Sequence, residues 1–359
     1  MKIISGIQQI GIGIPNVHEA WKWYRQNFGF DIPVFDDPGT AGLMLPYTGG
    51  KPHERHAILA VNIQGGGGFE IWQYTSRTPQ PAAFNIQLGD LGFFAAKIKS
   101  KTLNGAFLNF KVKNENLISN IVKDPIGNQH FFVKDPTGNI FQVVDNSNFF
   151  KESKAYTGGA YGVIVGVTDI DKSKKFYADI LGFDEVVYEK EGHFTDFEAL
   201  PGGSGNFKRV LLRNRSPRKG PFSRFMGDSQ IELVKTLDRE PKKIFENRLW
   251  GDLGFIHLCF DVQGMKSVKE DCDRFGCNFT VDSNPESYEK GEGTFDMGEA
   301  SGHFTYIEDP DGALIEFVET HKMPLLKKIG WYLNLKKRNP EKPLPDWMLK
   351  TMRFNRKKD

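Results

Sequence analysis

Gly89-Asp90-Leu91-Gly92-Phe93 occurs twice in this chain, returning unchanged as Gly251-Asp252-Leu253-Gly254-Phe255. Upstream of it, Trp23-Tyr24-Arg25-Gln26-Asn27-Phe28-Gly29-Phe30-Asp31 is echoed by Phe176-Tyr177-Ala178-Asp179-Ile180-Leu181-Gly182-Phe183-Asp184. Downstream, Asp135-Pro136-Thr137-Gly138-Asn139-Ile140-Phe141-Gln142 is echoed by Asp309-Pro310-Asp311-Gly312-Ala313-Leu314-Ile315-Glu316. The offsets grow along the chain from 153 to 162 to 174 residues. Three matches in one order with a slowly growing offset mean a duplicated domain carrying a few loop insertions. Positions where the copies differ are then the informative ones, because the scaffold is shared and the chemistry need not be.

Within each copy the pattern divides again. Ile7 to Ile14 alternates like a strand, and Val17, Ala20, Trp21, Tyr24 and Phe28 then share one helical face before Gly29. Strand patterns follow near 31–35, 57–63 and 68–74. A second unit opens at Gly92, passes a helical segment expected near 114–121, and closes in a strand at Ile140–Val144. The second half repeats both units, from Gly162 to about Lys235 and from Gly254 to Glu319. The expected class is α+β: four βαβββ modules, with helices outside cup-shaped antiparallel sheets. The expected domains are residues 1–147 and 148–320, joined across a linker near 146–159, with a tail at 321–359.

The totals bound the function. Hydrophobic residues at 39% and charged residues at 26% describe a globular chain of 359 residues, long enough for two cores. No apolar run reaches the roughly 20 residues of a membrane span, and the N-terminus does not read as a secretion signal, so a cytoplasmic protein is expected. Cys259, Cys272 and Cys277 contain no C-x-x-C pair and read as structural thiols. The net charge of +2 conceals +9 in the tail against −7 in residues 1–320. In that tail Leu325, Leu326, Ile329, Tyr332 and Leu333 fall at helical spacing, which predicts a basic amphipathic helix. It is expected to dock on the acidic body of the protein, with contact to a membrane surface as the other option. Neither glycine cluster has phosphate-loop or dinucleotide-fold spacing, and no nucleic-acid partner is expected.

The module order, together with the Phe/Tyr-Tyr to Leu/Phe-Gly-Phe opening and the Asp-Pro-x-Gly closing strand of each half, resembles the vicinal oxygen chelate superfamily of glyoxalases, bleomycin-resistance proteins and extradiol dioxygenases. The resemblance covers roughly residues 1–320. It implies that each module offers two positions to a central cavity: Gln9 and Glu70, Ala95 and Gln142, Gly162 and Glu232, and His257 and Glu316. Pairing the first module with the fourth gives Gln9, Glu70, His257 and Glu316 as ligands of one divalent metal (Zn, Ni, Fe or Mn). Pairing modules within the second half instead gives Glu232, His257 and Glu316. Imidazole, carboxylate and amide oxygen suit such a metal, whereas Ala95 and Gly162 ligate nothing.

By the same resemblance Glu316 is the catalytic proton carrier and Glu70 a second one, with the metal stabilising an enediolate of a small carbonyl substrate or its thiol adduct. Trp72 and Tyr74, on the face of Glu70, are expected to wall the cavity. Arg209 and Arg213, in an arginine-rich stretch from Pro201 to Asp228, are candidates to hold an anionic substrate. The insertion from Asn284 to His303 reads as a lid or a surface loop. Two alternatives stand beside the glyoxalase-type isomerase or lyase. One is an Fe(II) extradiol or hydroxyphenylpyruvate-type dioxygenase, whose two-histidine site is interrupted here at Gly162. The other is a metal-free protein that sequesters a ligand. The oligomeric state is left open.

Overall fold

The computed structural model describes every residue except 291–293, 297–300, 327–329 and 358–359. The first module comprises β1 (Ile3–Gly13), α1 (Val17–Phe28), β2 (Ile32–Thr40), β3 (Glu54–Val61) and β4 (Gly68–Tyr74). The second comprises β5 (Gly92–Ser100), α2 (Leu103–Val112), β6 (Val122–Lys123), β7 (Gln129–Lys134) and β8 (Ile140–Asp145). The third comprises β9 (Thr157–Gly166), α3 (Ile170–Asp179), β10 (Glu185–His193), β11 (Asn206–Arg213), α4 (Ser223–Met226) and β12 (Gln230–Thr236). The fourth comprises β13 (Gly254–Gln263), α5 (Met265–Phe275), β14 (Val281–Asp282), α6 (Ser287–Lys290), β15 (Phe295–Asp296), β16 (Ser301–Glu308) and β17 (Leu314–Leu326). After it come β18 (Trp331–Asn334), α7 (Asp346–Lys350) and a 3-10 turn at Thr351–Asn355. Among the described residues no helix is long and apolar enough to cross a membrane.

Two curled mixed sheets result, and each draws on both halves of the sequence. Modules one and four, joined by β18, make a ten-stranded sheet, with β1 and β13 antiparallel at its centre; modules two and three make an eight-stranded sheet seamed by β5 and β9. The helices do not follow this exchange. The Tyr24 hydroxyl of α1 donates to Asp135 at 2.6 Å, and the Tyr177 hydroxyl of α3 donates to Asp309 at 3.0 Å, so each helix is tied to the Asp-Pro turn of its own half. That turn is self-supporting, because Asp135 accepts the backbone N–H of Thr137 and Asn139, as Asp309 does from Asp311 and Ala313. The repeated motifs are therefore scaffold joints. One continuous apolar cluster, with Ile10, Phe28, Phe69, Phe141, Val163, Phe260 and Phe317 among its members, runs through all four modules.

Local chemistry sets the element ends. Asn16 caps α1 by accepting from the N–H of His18 and Glu19, and Gly29 closes it in the left-handed region at φ 70°, where a side chain would be strained. The helix of the second module lies at Leu103–Val112, upstream of the expected 114–121, because Leu103, Ala106 and Phe110 form its buried face and Asn114 turns out of it at φ 53°.

The tail is corrected as well. The amphipathic helix expected at 325–333 is not formed among the described residues, 327–329 lying outside them; β17 runs on to Leu326 and pairs with β18, Met323 opposite Leu333 and Pro324 opposite Tyr332. A two-residue period wins because it buries Met323, Leu325, Leu333 and Leu335 together against Phe222, Met226, Leu349 and Met352. The tail docks on the body, with Arg356 3.2 Å from Asp31 and Arg224 2.9 Å from Asp346.

Asp261 is a stability liability at the β1–β13 seam. Burial pushes its carboxyl up to about 8, with Ser5 beside it as partial compensation. An acid whose folded pKa exceeds its unfolded value of about 3.9 contributes stability that is fully present below that value and is progressively lost as pH rises through about 8. Asp261→Asn is expected to gain on the wild type across that window, by a few kcal/mol on the order of the linkage relation. Urea melts at pH 5 and pH 8 check this; an equal gain at both would refute it.

Candidate metal and proton-transfer site

The register of the ten-stranded sheet makes four side chains converge. Gly11 of β1 lies opposite His257 of β13 and beside Glu70 of the parallel β4, while Cys259 lies opposite Gln9 and beside Glu316 of the parallel β17. With side chains alternating in strands, Gln9, Glu70, His257 and Glu316 share the concave face. Gln9 Nε2 donates to Glu70 Oε2 at 3.1 Å and to Glu316 Oε2 at 3.4 Å. His257 Nε2 stands 3.1 Å from Glu70 Oε2 and 3.2 Å from Glu316 Oε2. One donor atom from each of Glu70, His257 and Glu316 lies within 4.8 Å of the others. A bulge between Ile7 and Gln9 brings Gln8 to the cavity too, where it accepts from the Cys259 thiol at 3.6 Å.

Gly11 makes this possible. A Cβ there would stand 2.4 Å from His257 Cε1 and 2.7 Å from its Nε2, so the imidazole occupies the room that a side chain would fill. Trp250, near-parallel at 6.1 Å, and Tyr306, edge-on at 5.6 Å, fix the ring. Gly11→Ala is expected to rotate the imidazole out of place and weaken metal affinity by about 10–100-fold, the usual penalty for losing ligand orientation. Chelator competition reads the affinity, and an unchanged value would show that the glycine is incidental.

The electrostatics are those of a site short of positive charge. Burial raises the Glu316 carboxyl, to about 7, with His257 opposing and Glu70 reinforcing the rise. His257 also titrates above its ordinary value: burial disfavours its charge, but Glu316 and Glu70 outweigh burial. The donor set fits a divalent cation. The Gln9 Oε1 is buried without a partner, and His257 Nε2, though close to both carboxylates, makes a well-aligned hydrogen bond with neither. Two carboxylates, an imidazole and an amide are hard or borderline donors suited to such an ion.

The site forms the floor of a cavity of about 660 Å³. Trp72 lines it, held at 4.6 Å from Trp250 and let in close by Gly251, where a Cβ would meet the indole at 2.2 Å. Tyr74 does not: its hydroxyl turns away to donate to the Trp250 carbonyl, so it positions the wall. Arg209, Arg213 and Glu232 belong to the other sheet, which corrects both the arginine assignment and the fallback set. Glu232 is bound there by Lys97 at 2.6 Å and by Arg209 at 2.7 Å, and Arg213 pairs with Glu185 at the surface at 2.7 Å. Gly162, also in that sheet, faces Gln230, not His257. Of the 284–303 insertion, residues 291–293 and 297–300 lie outside the described residues, while Phe295 and Asp296 line the cavity. Sequence reasoning missed Tyr306 and Trp250. Tyr306 had a usable signal, since it sits directly across the strand from Glu316.

This architecture is shared with known proteins. Residues 162–317 match the profile of the Glyoxalase/Bleomycin resistance protein/Dioxygenase superfamily. Glyoxalase I from Zea mays superposes with a TM-score of 0.52 at 12% identity, covering 89% of this chain and 92% of that one. A putative dioxygenase from Bacillus subtilis superposes with a TM-score of 0.55 at 13% identity, covering 89% and 86%. No curated protein matches the chain in sequence. The chain carries a domain of this superfamily, and its two half-barrel sheets have the fold of a two-domain, tandem glyoxalase-like protein.

Proposed function

We propose that this chain is a metal-dependent enzyme of the glyoxalase type, an isomerase or lyase that shifts a proton between neighbouring carbons of a carbonyl substrate. Gln9, Glu70, His257 and Glu316 would hold one divalent ion, of the Zn, Ni, Fe or Mn class. Bound there, the ion would supply Lewis-acid polarisation to two adjacent substrate oxygens. The chain's own residues carry the rest. Glu316, whose carboxyl titrates near neutrality because it is buried beside Glu70, takes the proton from the carbon next to the carbonyl. Glu316 then passes that proton to Glu70, whose Oε2 stands by the same His257 Nε2 at 3.1 Å, and Glu70 delivers it to the neighbouring carbon. Trp72, Trp250 and Tyr306 exclude water from this exchange.

The carrying observation is the convergence of three ligand atoms within 4.8 Å, from buried His257 and Glu316 and half-buried Glu70. A dioxygenase of the two-histidine type gains no such support, because His257 is the one imidazole in the cluster. The test is elemental analysis of the chelator-stripped protein after reconstitution, followed by exchange of solvent deuterium into hydroxyketones and thiol adducts of dicarbonyls. About one ion per chain with metal-dependent exchange is expected. Binding of ligands by a protein that takes up no metal would favour the sequestering alternative.

A further inference from the structure

Resting on that metal-site reading, we infer that the substrate is a bulky, apolar molecule without negative charge, presenting its two adjacent oxygens at one end. The argument comes from what surrounds the cluster. A cavity of about 660 Å³ is large enough for a drug-sized molecule. Among the described residues its charged lining consists of Asp37, Arg55, Glu70, Asp296 and Glu316, four acids against one cation. That cation is engaged, because Arg55 Nη1 bonds the Asp37 backbone carbonyl and lies 3.3 Å from its carboxylate. With the divalent ion balancing Glu70 and Glu316, the described lining still carries no excess of positive charge, so a phosphate, sulfonate or second carboxylate on the substrate would lose its hydration with no free guanidinium to replace it. The arginines that sequence reading offered for that task stand on the other sheet.

The remaining wall is apolar and has a distinct origin. Leu59 and Val61 come from β3, but Phe225 and Met226 come from α4, and Phe222 from just before it, a segment inserted in the third module. Met323 and Met352 come from the end of β17 and the tail. The α4 segment crosses to the opposite sheet, where the Phe225 carbonyl accepts the N–H of Gly66 at 2.9 Å. The α4 insertion, the far end of β17 and the tail thus join β3 in building this wall in hydrocarbon and thioether. Methionines from three separate segments give that wall an adaptable surface for a large apolar group.

The experiment uses full-length protein whose metal content has been measured. N-phenyl-1-naphthylamine, an uncharged dye, reports occupancy of the cavity. It is displaced by 2,3-dihydroxynaphthalene or by its 6-sulfonate, which carry the same oxygen pair and differ in charge. The neutral diol is expected to displace the dye at a concentration at least about tenfold lower than the sulfonate. Val61→Trp, which fills the cavity away from the ligands, should weaken dye binding, and Met352→Arg should narrow the diol's advantage. Equal or better displacement by the sulfonate overturns the inference, as does failure of the dye to bind. If the chain binds no metal yet keeps the dye and the preference for neutral molecules, the metal reading falls and the ligand class stands.

Discussion

Replacing Glu316 with glutamine is expected to lower proton exchange by about 10²–10⁴-fold while the protein stays folded, the range for losing a positioned general base. Glutamine keeps the shape and the hydrogen-bonding capacity that Cys259 and Tyr306 meet, but it cannot take a proton. His257→Ala should act differently, abolishing uptake of the ion. Acidity gives an independent check. Burial and the nearby Glu70 raise the Glu316 carboxyl to about 7, and His257 is raised as well, so protons compete with a cation for the same atoms. The ligands must be deprotonated to bind, hence affinity falls as pH drops. Between pH 8 and pH 6 the loss is expected to be at least roughly tenfold from Glu316 alone. In Glu316→Gln that part of the dependence should flatten. Isothermal titration of the stripped proteins reads both, and a wild type indifferent to pH would remove Glu316 from the ligand set.

The duplication was legible because each repeated motif meets a backbone demand that arises twice. Gly89 and Gly251 sit at φ 87° and 92°, and Gly92 and Gly254 at 116° and 120°, in turns that only glycine takes without strain. Between them Asp90 and Asp252 accept backbone N–H groups, from Gln87 and Lys242 and from Gln80 and Leu249. The four-residue cluster was legible through the family resemblance, which named the strand positions, and the two-residue period supported it, although a bulge between Ile7 and Gln9 also turns Gln8 to the cavity. Its distal surroundings were not. Leu325, Leu326, Tyr332 and Leu333 satisfy helical spacing as a list, but burial of their neighbours Met323 and Leu335 selects a hairpin. The arginines of 209–224 read as one electropositive stretch, yet β11 and the loop after it place them against Asp196, Glu185, Asp184 and Asp346. Partner choice across a fold is not written in spacing.

Glu232→Ala is expected to cost about 3–5 kcal/mol of stability, the toll of leaving buried charge unpaired. By sheet register Glu232 is the counterpart of Glu70, since each follows the parallel pairing of an inner strand, β12 with β9 and β4 with β1. Where His257 stands in one sheet, Ala95 stands in the other, and Lys97, the counterpart of Cys259, reaches Glu232 at 2.6 Å. Arg209 adds a hydrogen bond at 2.8 Å through Nε and an ion-pair contact at 2.7 Å through Nη2, and Tyr188 donates at 2.7 Å. Side-chain cations thus occupy the place that a metal would take in the twin site. Burial alone would raise the Glu232 carboxyl, yet Arg209 and Lys97 overcome it and hold it well below the ordinary range. A depressed folded pKa gives stability that is present above the unfolded value of about 4.3 and is lost as pH falls toward the folded one. The wild type should therefore lose its advantage over Glu232→Ala in acid. The double variant Lys97→Met with Glu232→Leu should cost less than Glu232→Ala, because it removes charge of both signs and leaves Arg209 with Asp196, 2.8 Å away. Thermal melts measure these costs, and the same samples should still bind about one metal ion per chain, since nothing in the exchange touches His257. Loss of that ion together with Glu232 would mean that the two sheets are not chemically independent.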